Sequence, residues 1–185
     1  MDIASLKKRI PDFAKDLRIN LSSVLSADGA PGLNDAQRHG TAIAVAYALG
    51  DQDLLQAVET NAGEDISLEY RKGARAASAI MGMNNIYYRF LHLSSNPEYG
   101  QLPARLRMSV IGNPGIEKAD FELFSLAVSA VNGCGLCVDS HEKVIRQHGI
   151  SAEGIQSAVR IAAVLHAVAA VLRNNASDQA LAAAA

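Results

Sequence analysis

Tryptophan is absent from the sequence, and phenylalanine and tyrosine are so scarce that aromatic residues make up 5% of the 185 residues. Nearly half of the chain is nevertheless apolar, with alanine abundant, so a sizeable core is available without large rings. Alanine is the best helix former and a poor strand residue, whereas aromatic residues favour strands. The composition therefore predicts an all-α fold of closely packed helices. The length suits a single domain, residues 1–185, or two small halves that share a core.

A strong charge of one sign is also lacking, because 17 lysine and arginine residues face 19 aspartate and glutamate residues. The formal net charge is −2, and no basic stripe gathers along one segment. Nucleic-acid binding depends on such a positive surface. We expect no nucleic-acid partner.

No signal peptide and no membrane span is evident. The first 18 residues alternate charged and apolar side chains as an amphipathic helix does. Apolar residues recur at helical spacing on one predicted face: Leu6, Ile10, Phe13, Leu17 and Leu21. The longest apolar run, residues 155–172, is interrupted by an arginine and a histidine, so we predict a buried helix there and no membrane association. The expected location is the cytoplasm.

Helical periodicity and capping residues divide the chain into several predicted helices. Asp35, Asp51 and Ser151 are the predicted caps of three of them, and a fourth is expected to follow Asp65. The remaining two are placed at about residues 118–131 and 134–148, separated by Asn132-Gly133. Loops are expected at residues 94–100 and 113–115.

A weak internal similarity joins residues 78–83 to residues 129–134 at a constant offset. It predicts a duplicated helical unit, with a degenerate first repeat at about 65–92 and an active repeat at about 117–148. In that register Met83, Ile86 and Phe90 stand opposite Cys134, Cys137 and His141. The first copy would then hold core side chains in place of polar chemistry.

Cysteine occurs only twice, at Cys134 and Cys137. In a reducing cytoplasm, two cysteines three residues apart are typical of redox-active or metal-binding sites, not of structural cross-links. On a helix, Cys134, Cys137 and His141 occupy positions i, i+3 and i+7 and share a face. If the helix begins near Cys134, its unpaired N–H groups and its dipole stabilise a thiolate.

Glu122 is the other candidate site residue. It lies in a strongly apolar stretch, where a carboxylate is costly to bury without a partner. If the two helices fold back on each other, Glu122 can reach His141 and poise it as a base toward the Cys137 thiol.

Less specific interpretations remain open for each of these residues. The cysteine pair and His141 could supply three of the four ligands of a zinc site. However, the sequence has no second cysteine pair, and its other histidines show no ligand spacing: His39, His92, His148 and His166. The cysteines can also be inert, and Glu122 can be an ordinary solvated residue. His166 is typical of a core or interface histidine, and Met81 and Met83 are typical of core packing.

The segment from Glu122 through Cys134 and Cys137 to His141 resembles the AhpD-type alkyl hydroperoxide reductases of the carboxymuconolactone decarboxylase-like superfamily. Residues 79–85 (Ala-Ile-Met-Gly-Met-Asn-Asn) are similar to that family's first-repeat signature. The resemblance spans essentially the whole chain. It implies an AhpD-like all-α fold with a duplicated unit, assembled as a homotrimer or a multiple of it.

The resemblance also implies a function and a role for each residue. Cys137 would be oxidised to a sulfenic acid by peroxide, and Cys134 would donate a proton and then form the redox disulfide. Glu122 and His141 match the family's proton relay, without flavin, haem, metal or any other bound cofactor. One departure is Leu136, where well-known members carry a histidine.

We therefore expect an antioxidant thiol peroxidase that reduces organic hydroperoxides or passes electrons to a partner AhpC-type peroxiredoxin. The resemblance points to the dihydrolipoyl group of a lipoyl-bearing protein as the electron donor. Two alternatives are a carboxymuconolactone decarboxylase-like lyase, which needs no cysteine pair, and a non-enzymatic redox-sensing protein.

Overall fold

In this computed structural model the backbone is described for residues 1–184 and the side chains for residues 1–175. Over residues 1–184 the chain forms ten α-helices, one 3-10 helix and no strand, which confirms the all-α prediction. The α-helices are α1 (Ile3–Lys8), α2 (Lys15–Val24), α3 (Asp35–Leu49), α4 (Gln52–Ala62), α5 (Leu68–Leu93), α6 (Glu98–Gln101), α7 (Ser109–Gly112), α8 (Lys118–Val131), α9 (Gly135–Gln147) and α10 (Ala152–Ala184); the 3-10 helix is Asp12–Ala14.

The N-terminal segment is not the single amphipathic helix that its periodicity predicts. Pro11 is extended, with φ −70° and ψ 165°, and it separates α1 from the 3-10 helix. Proline has no N–H to donate to a preceding carbonyl, so a helix cannot run through it unbroken. Leu6, Ile10 and Leu21 are buried, but Phe13 is 85% exposed, so its predicted place on the buried face is wrong.

Helix α8 lies at the centre of the fold, and its residues from Asp120 to Ser129 are all buried. It packs against α3, α5, α9 and α10. Gly40 of α3 allows close approach, because any β-carbon there would overlap the ring of Phe124. This central position explains how a helix can be apolar almost all round in a protein of this size.

A polar cluster ties three of these helices together. Asp120 of α8 accepts hydrogen bonds from Gln37 Nε2 of α3 and from the Tyr70 hydroxyl of α5, each at 2.8 Å. Burial, together with the Asp120 carboxylate, raises the pKa of Tyr70 to about 12, so this hydroxyl remains a donor at physiological pH. The buried carboxylate is therefore satisfied and fixes the register of α8.

Helix α10 contains a segment, Ala152–Asn175, that is long and apolar enough to cross a membrane. Here it packs against α2, α3 and α8. Its buried residues recur at helical spacing, among them Ala158, Ile161, Leu165 and Val168. The prediction of a helix packed into the core is confirmed for this face.

The two segments of the predicted repeat differ in shape. Residues 68–93 form the single helix α5, whereas residues 118–147 form two helices, α8 and α9. Ile86 and Phe90 are 59% and 48% exposed, so the prediction that they fill the core in place of Cys137 and His141 is wrong. They lie on the outer face of α5, whereas Asn85 and Arg89 on its other face bond to the end of α8.

Candidate active site

The turn between α8 and α9 sets the position of both cysteines. Gly133 has φ +67°, a left-handed conformation that glycine adopts without cost. Its N–H donates to the carbonyl of Ala130 at 3.2 Å, and the N–H of Cys134 donates to the carbonyl of Ser129 at 3.1 Å. These two bonds are the Schellman arrangement that closes a helix. Only three residues, 132–134, therefore separate α8 from α9, and Cys134 is the N-cap of α9.

Cys134 and Cys137 are joined by a disulfide across the first turn of α9, with their Cα atoms 5.3 Å apart. Both residues are buried. In the reduced form both sulfurs would lie at the helix N-terminus, where the first N–H groups have no intrahelical acceptor. The unpaired N–H groups and the helix dipole stabilise negative charge at that place.

Glu122 and His141 meet as predicted, one from α8 and one from α9. The Oε2 atom of Glu122 lies 2.6 Å from Nδ1 of His141, and both side chains are buried. The interpretation of Glu122 as a solvated surface residue is therefore wrong. The contact assigns the Nδ1 proton to the side facing the carboxylate and turns Nε2 toward the opposite side of the ring.

Met81 of α5 lies on that opposite side of the imidazole ring. Its contact with His141 was not predicted from the sequence. Its Sδ atom is 3.2 Å from Nε2 of His141. An imidazolium has two N–H donors. In His141 the Glu122 carboxylate is the acceptor for Nδ1, and the Met81 thioether is the acceptor for Nε2. Met81 is fully buried, as core packing predicts, yet it also contacts the candidate proton carrier.

A cavity of about 390 Å³ opens onto this group of residues. Its wall is mostly apolar, and Cys137 belongs to it whereas Cys134 does not. Leu136, at 45% exposure, also lines the cavity. The lining residues are Met81, Asn84, Tyr88, Met108, Ile111, Glu122, Leu136, Cys137, Ser140, His141 and Val144.

Comparison with known proteins identifies the family of the chain. Residues 97–184 match the Carboxymuconolactone decarboxylase family (CMD). The chain is 53% identical over 171 residues to the alkyl hydroperoxide reductase AhpD of Rhizorhabdus wittichii, which covers 92% of this chain and 97% of that protein. It is 52% identical over 183 residues to the alkyl hydroperoxide reductase AhpD of Hyphomonas neptunium, covering 99% and 98%. The chain belongs to the AhpD family.

In this AhpD-family chain, α5 also holds the turn that carries the cysteines. Asn85 donates through Nδ2 to the Ser129 hydroxyl at 2.8 Å and accepts from Nδ2 of Asn132 at 2.9 Å. Arg89 donates to the backbone carbonyl of Asn132. These bonds fix the end of α8 just before Cys134. Asn85 belongs to the quoted first-repeat motif, which was the only signal in the sequence that could have identified it.

The remaining histidines of the AhpD-family chain lie away from the site. His39 is buried in α3 near Arg38 and Asp65. His166 is exposed on α10, so it is not a core histidine, and its interpretation as an interface histidine stays a prediction. Neither His39 nor His166 lines the cavity. Among residues 1–175, no three His, Cys, Asp or Glu side chains are grouped as metal ligands.

Proposed function

We propose that this protein is an alkyl hydroperoxide reductase that works as a thiol peroxidase through Cys134 and Cys137. The observation that carries the proposal is the cavity, because it brings the Cys137 sulfur to the same apolar wall as the paired His141 and Glu122. An apolar wall suits the organic part of a hydroperoxide, and the buried pair provides a route for protons. The curated relatives carry the name alkyl hydroperoxide reductase AhpD.

The proposed reaction begins with both cysteines reduced. The Cys137 thiolate attacks the distal oxygen of the hydroperoxide, so an S–O bond forms, the O–O bond breaks, and an alkoxide leaves as the alcohol after taking a proton. Cys134 then attacks the Cys137 sulfenic acid; an S–S bond forms, the S–O bond breaks and water leaves. The two thiol protons end in the alcohol and the water, with His141 and Glu122 as carriers.

The disulfide must then be reduced by an external dithiol. We assign this role to the dihydrolipoyl group of a partner protein, and we propose that an AhpC-type peroxiredoxin receives electrons from the reduced cysteines. Cys137 is the cysteine on the cavity wall, and the half-exposed Leu136 beside it offers an apolar contact to an incoming carrier. The protein itself would hold no cofactor.

We also propose a homotrimer, or a multiple of it, in the cytoplasm. Supporting this assembly, α5 and the segment after it expose large apolar side chains on one side of the chain. Exposed apolar side chains in such number are typical of surfaces that are covered by another protein. They are Ile86, Phe90, Leu93, Tyr99 and Leu102.

The test is reconstitution of the whole relay. Hydroperoxide consumption is measured with the protein, a reduced lipoyl-bearing protein and an AhpC-type peroxiredoxin, omitting each component in turn. We expect turnover to require this protein and the lipoyl-bearing protein, and to rise when the peroxiredoxin is added. No dithiol-dependent peroxide consumption in any combination would contradict the proposal; it would then favour a lyase acting on a ring substrate or a redox sensor without turnover.

A further inference from the structure

The cavity contains one buried polar group that the proposed chemistry does not use. Asn84 of α5 lines the cavity beside Cys137 and His141, and its side chain is only 4% exposed. Its Oδ1 atom has no hydrogen-bond partner among the described residues. The adjacent Asn85 differs, because its carboxamide is bonded at both ends to Ser129 and Asn132.

A carboxamide at this place is not explained by packing. Buried polar groups are almost always paired, since an unpaired one forfeits its hydrogen bonds with water. No described residue supplies a partner for the amide oxygen, and the cavity is the space that this carboxamide borders. Rotation of the amide by 180° exchanges its oxygen and its NH₂ group, so Asn84 can offer either an acceptor or a donor.

We propose that the Asn84 carboxamide binds the peroxide group of the substrate and donates a hydrogen bond to the oxygen that leaves. This inference rests on the proposed function. When the Cys137 thiolate attacks the distal oxygen, the O–O bond breaks and negative charge develops on the proximal oxygen. The Glu122 carboxylate and the Met81 thioether in the cavity wall are acceptors only, whereas the NH₂ group of Asn84 is a donor that no protein acceptor requires.

The same cavity wall bears on the rest of the substrate. The remainder of the cavity is lined by the side chains of Met108, Ile111 and Val144 and by Tyr88, whose hydroxyl donates to the Met108 thioether. A ligand that fits the cavity would place its peroxide group at the Asn84 carboxamide and its hydrocarbon chain against the apolar lining. This wall accommodates the organic part of the hydroperoxide on which the proposed function acts.

The test uses a Cys134→Ser background, in which Cys137 is the only cysteine. Two rates are measured at the same pH: sulfenic acid formation with cumene hydroperoxide, and alkylation with iodoacetamide, whose leaving group is iodide. The ratio of the two rates cancels any change in the amount of thiolate. Asn84→Leu removes the carboxamide at similar volume, and Asn84→Asp keeps its shape without NH₂. The matched control is Asn61→Leu, the same substitution at an exposed asparagine of α4 that does not line the cavity.

Removal of one donor to a developing oxyanion typically lowers a rate by about 10²–10³-fold. We expect the ratio of oxidation to alkylation to fall about a hundredfold in Asn84→Leu and Asn84→Asp, and to stay unchanged in Asn61→Leu. If Asn84→Leu does not fold, as judged by circular dichroism, the isosteric Asn84→Asp decides. An unchanged ratio in either folded variant overturns the assignment of Asn84. A parent protein that is alkylated but never oxidised by hydroperoxide overturns the proposed function, and the role of Asn84 with it.

Discussion

At the scale of single residues, the contact between Glu122 and His141 makes a prediction about catalysis. We expect Glu122→Gln and His141→Gln each to lower peroxide turnover by about 10²–10⁴-fold, the usual contribution of general acid–base catalysis. Because the two side chains act as one relay through their 2.6 Å contact, the double variant should be little slower than the slower single variant.

The control for this prediction is thermal unfolding. Breaking a buried ion pair by removing one partner typically costs about 3–5 kcal/mol, so rates must be measured at a temperature where each variant is folded. Multiplicative losses in the double variant would show that the two residues work separately. Rates equal to that of the parent protein would exclude both from the mechanism.

Glu122, His141 and the cysteines could be predicted from the sequence because each is chemically conspicuous at its position. Met81 and Asn84 could not. A methionine on an apolar helix is indistinguishable from core packing, and the sequence does not show that α5 turns Met81 and Asn84 toward α9 while it turns Asn85 toward the end of α8. Such contacts depend on how three helices are rotated about their axes, which periodicity alone leaves undetermined.

His39 makes a prediction about stability. Burial, followed by the nearby Arg38 guanidinium, lowers the pKa of this imidazole below its ordinary 6.5, while Asp65 and Asp35 act in the opposite direction and Arg71 lowers it further. The unfolded chain therefore binds a proton more readily than the folded one as the pH falls below about 6.5, so stability is lost in that range.

We expect the melting temperature of the protein to fall between pH 7 and pH 5 and the fall to be shallower in His39→Gln. Differential scanning calorimetry across this range provides the measurement, with His148→Gln as the control for a histidine outside the core. Parallel curves for the parent protein and His39→Gln would show that His39 does not contribute to the pH dependence.

At the scale of helices and turns, substitution of Gly133 tests whether the turn between α8 and α9 positions the cysteines. In the left-handed conformation, a residue with a β-carbon is destabilised by about 1–2 kcal/mol relative to glycine. At Gly133 no atom lies within contact distance of an added β-carbon, so no steric cost is added. Gly50, which ends α3, is matched in both respects, with φ +69° and open space around it. We expect Gly133→Ala and Gly50→Ala to lose similar stability in denaturant unfolding, but only Gly133→Ala to slow peroxide turnover, because Cys134 follows it directly. Equal turnover in both variants would show that the turn does not position the cysteines.

Most helices could be predicted from the sequence, because capping residues and glycines mark where they begin and end. Helix α8 has the predicted bounds, and Asp51 and Ser151 cap their helices as predicted. The cap of α3 was placed one residue late, since Asn34 accepts from the N–H of Gln37 and Asp35 lies in the first turn. The short helices α6 and α7 were not predicted, because four-residue segments carry too little periodicity to be distinguished from loops.

At the scale of the whole molecule, the exposed face of α5 predicts assembly. The offset between the repeats suggested that Phe90 is a core residue, whereas the structure places it at the surface, with its ring 5.0 Å from that of Tyr99. We expect Phe90→Asp to convert the oligomer to monomers without unfolding them. Phe13→Asp, which changes a still more exposed ring outside this face, should leave the assembly intact.

Sedimentation velocity measures both outcomes, and circular dichroism confirms that each variant is folded. A parent protein that sediments as a monomer would contradict the proposed trimer. An oligomer that persists in Phe90→Asp would show that subunits meet through another surface.

The central claim of the account is that peroxide reacts at Cys137, the cysteine on the cavity wall. It is tested most directly by exposing Cys134→Ser and Cys137→Ser to hydroperoxide in the presence of dimedone and locating the label by mass spectrometry. We predict rapid labelling of Cys137 in Cys134→Ser and little or no labelling of Cys134 in Cys137→Ser. Rapid labelling of Cys134 with no label on Cys137 would contradict the account and reverse the roles of the two cysteines.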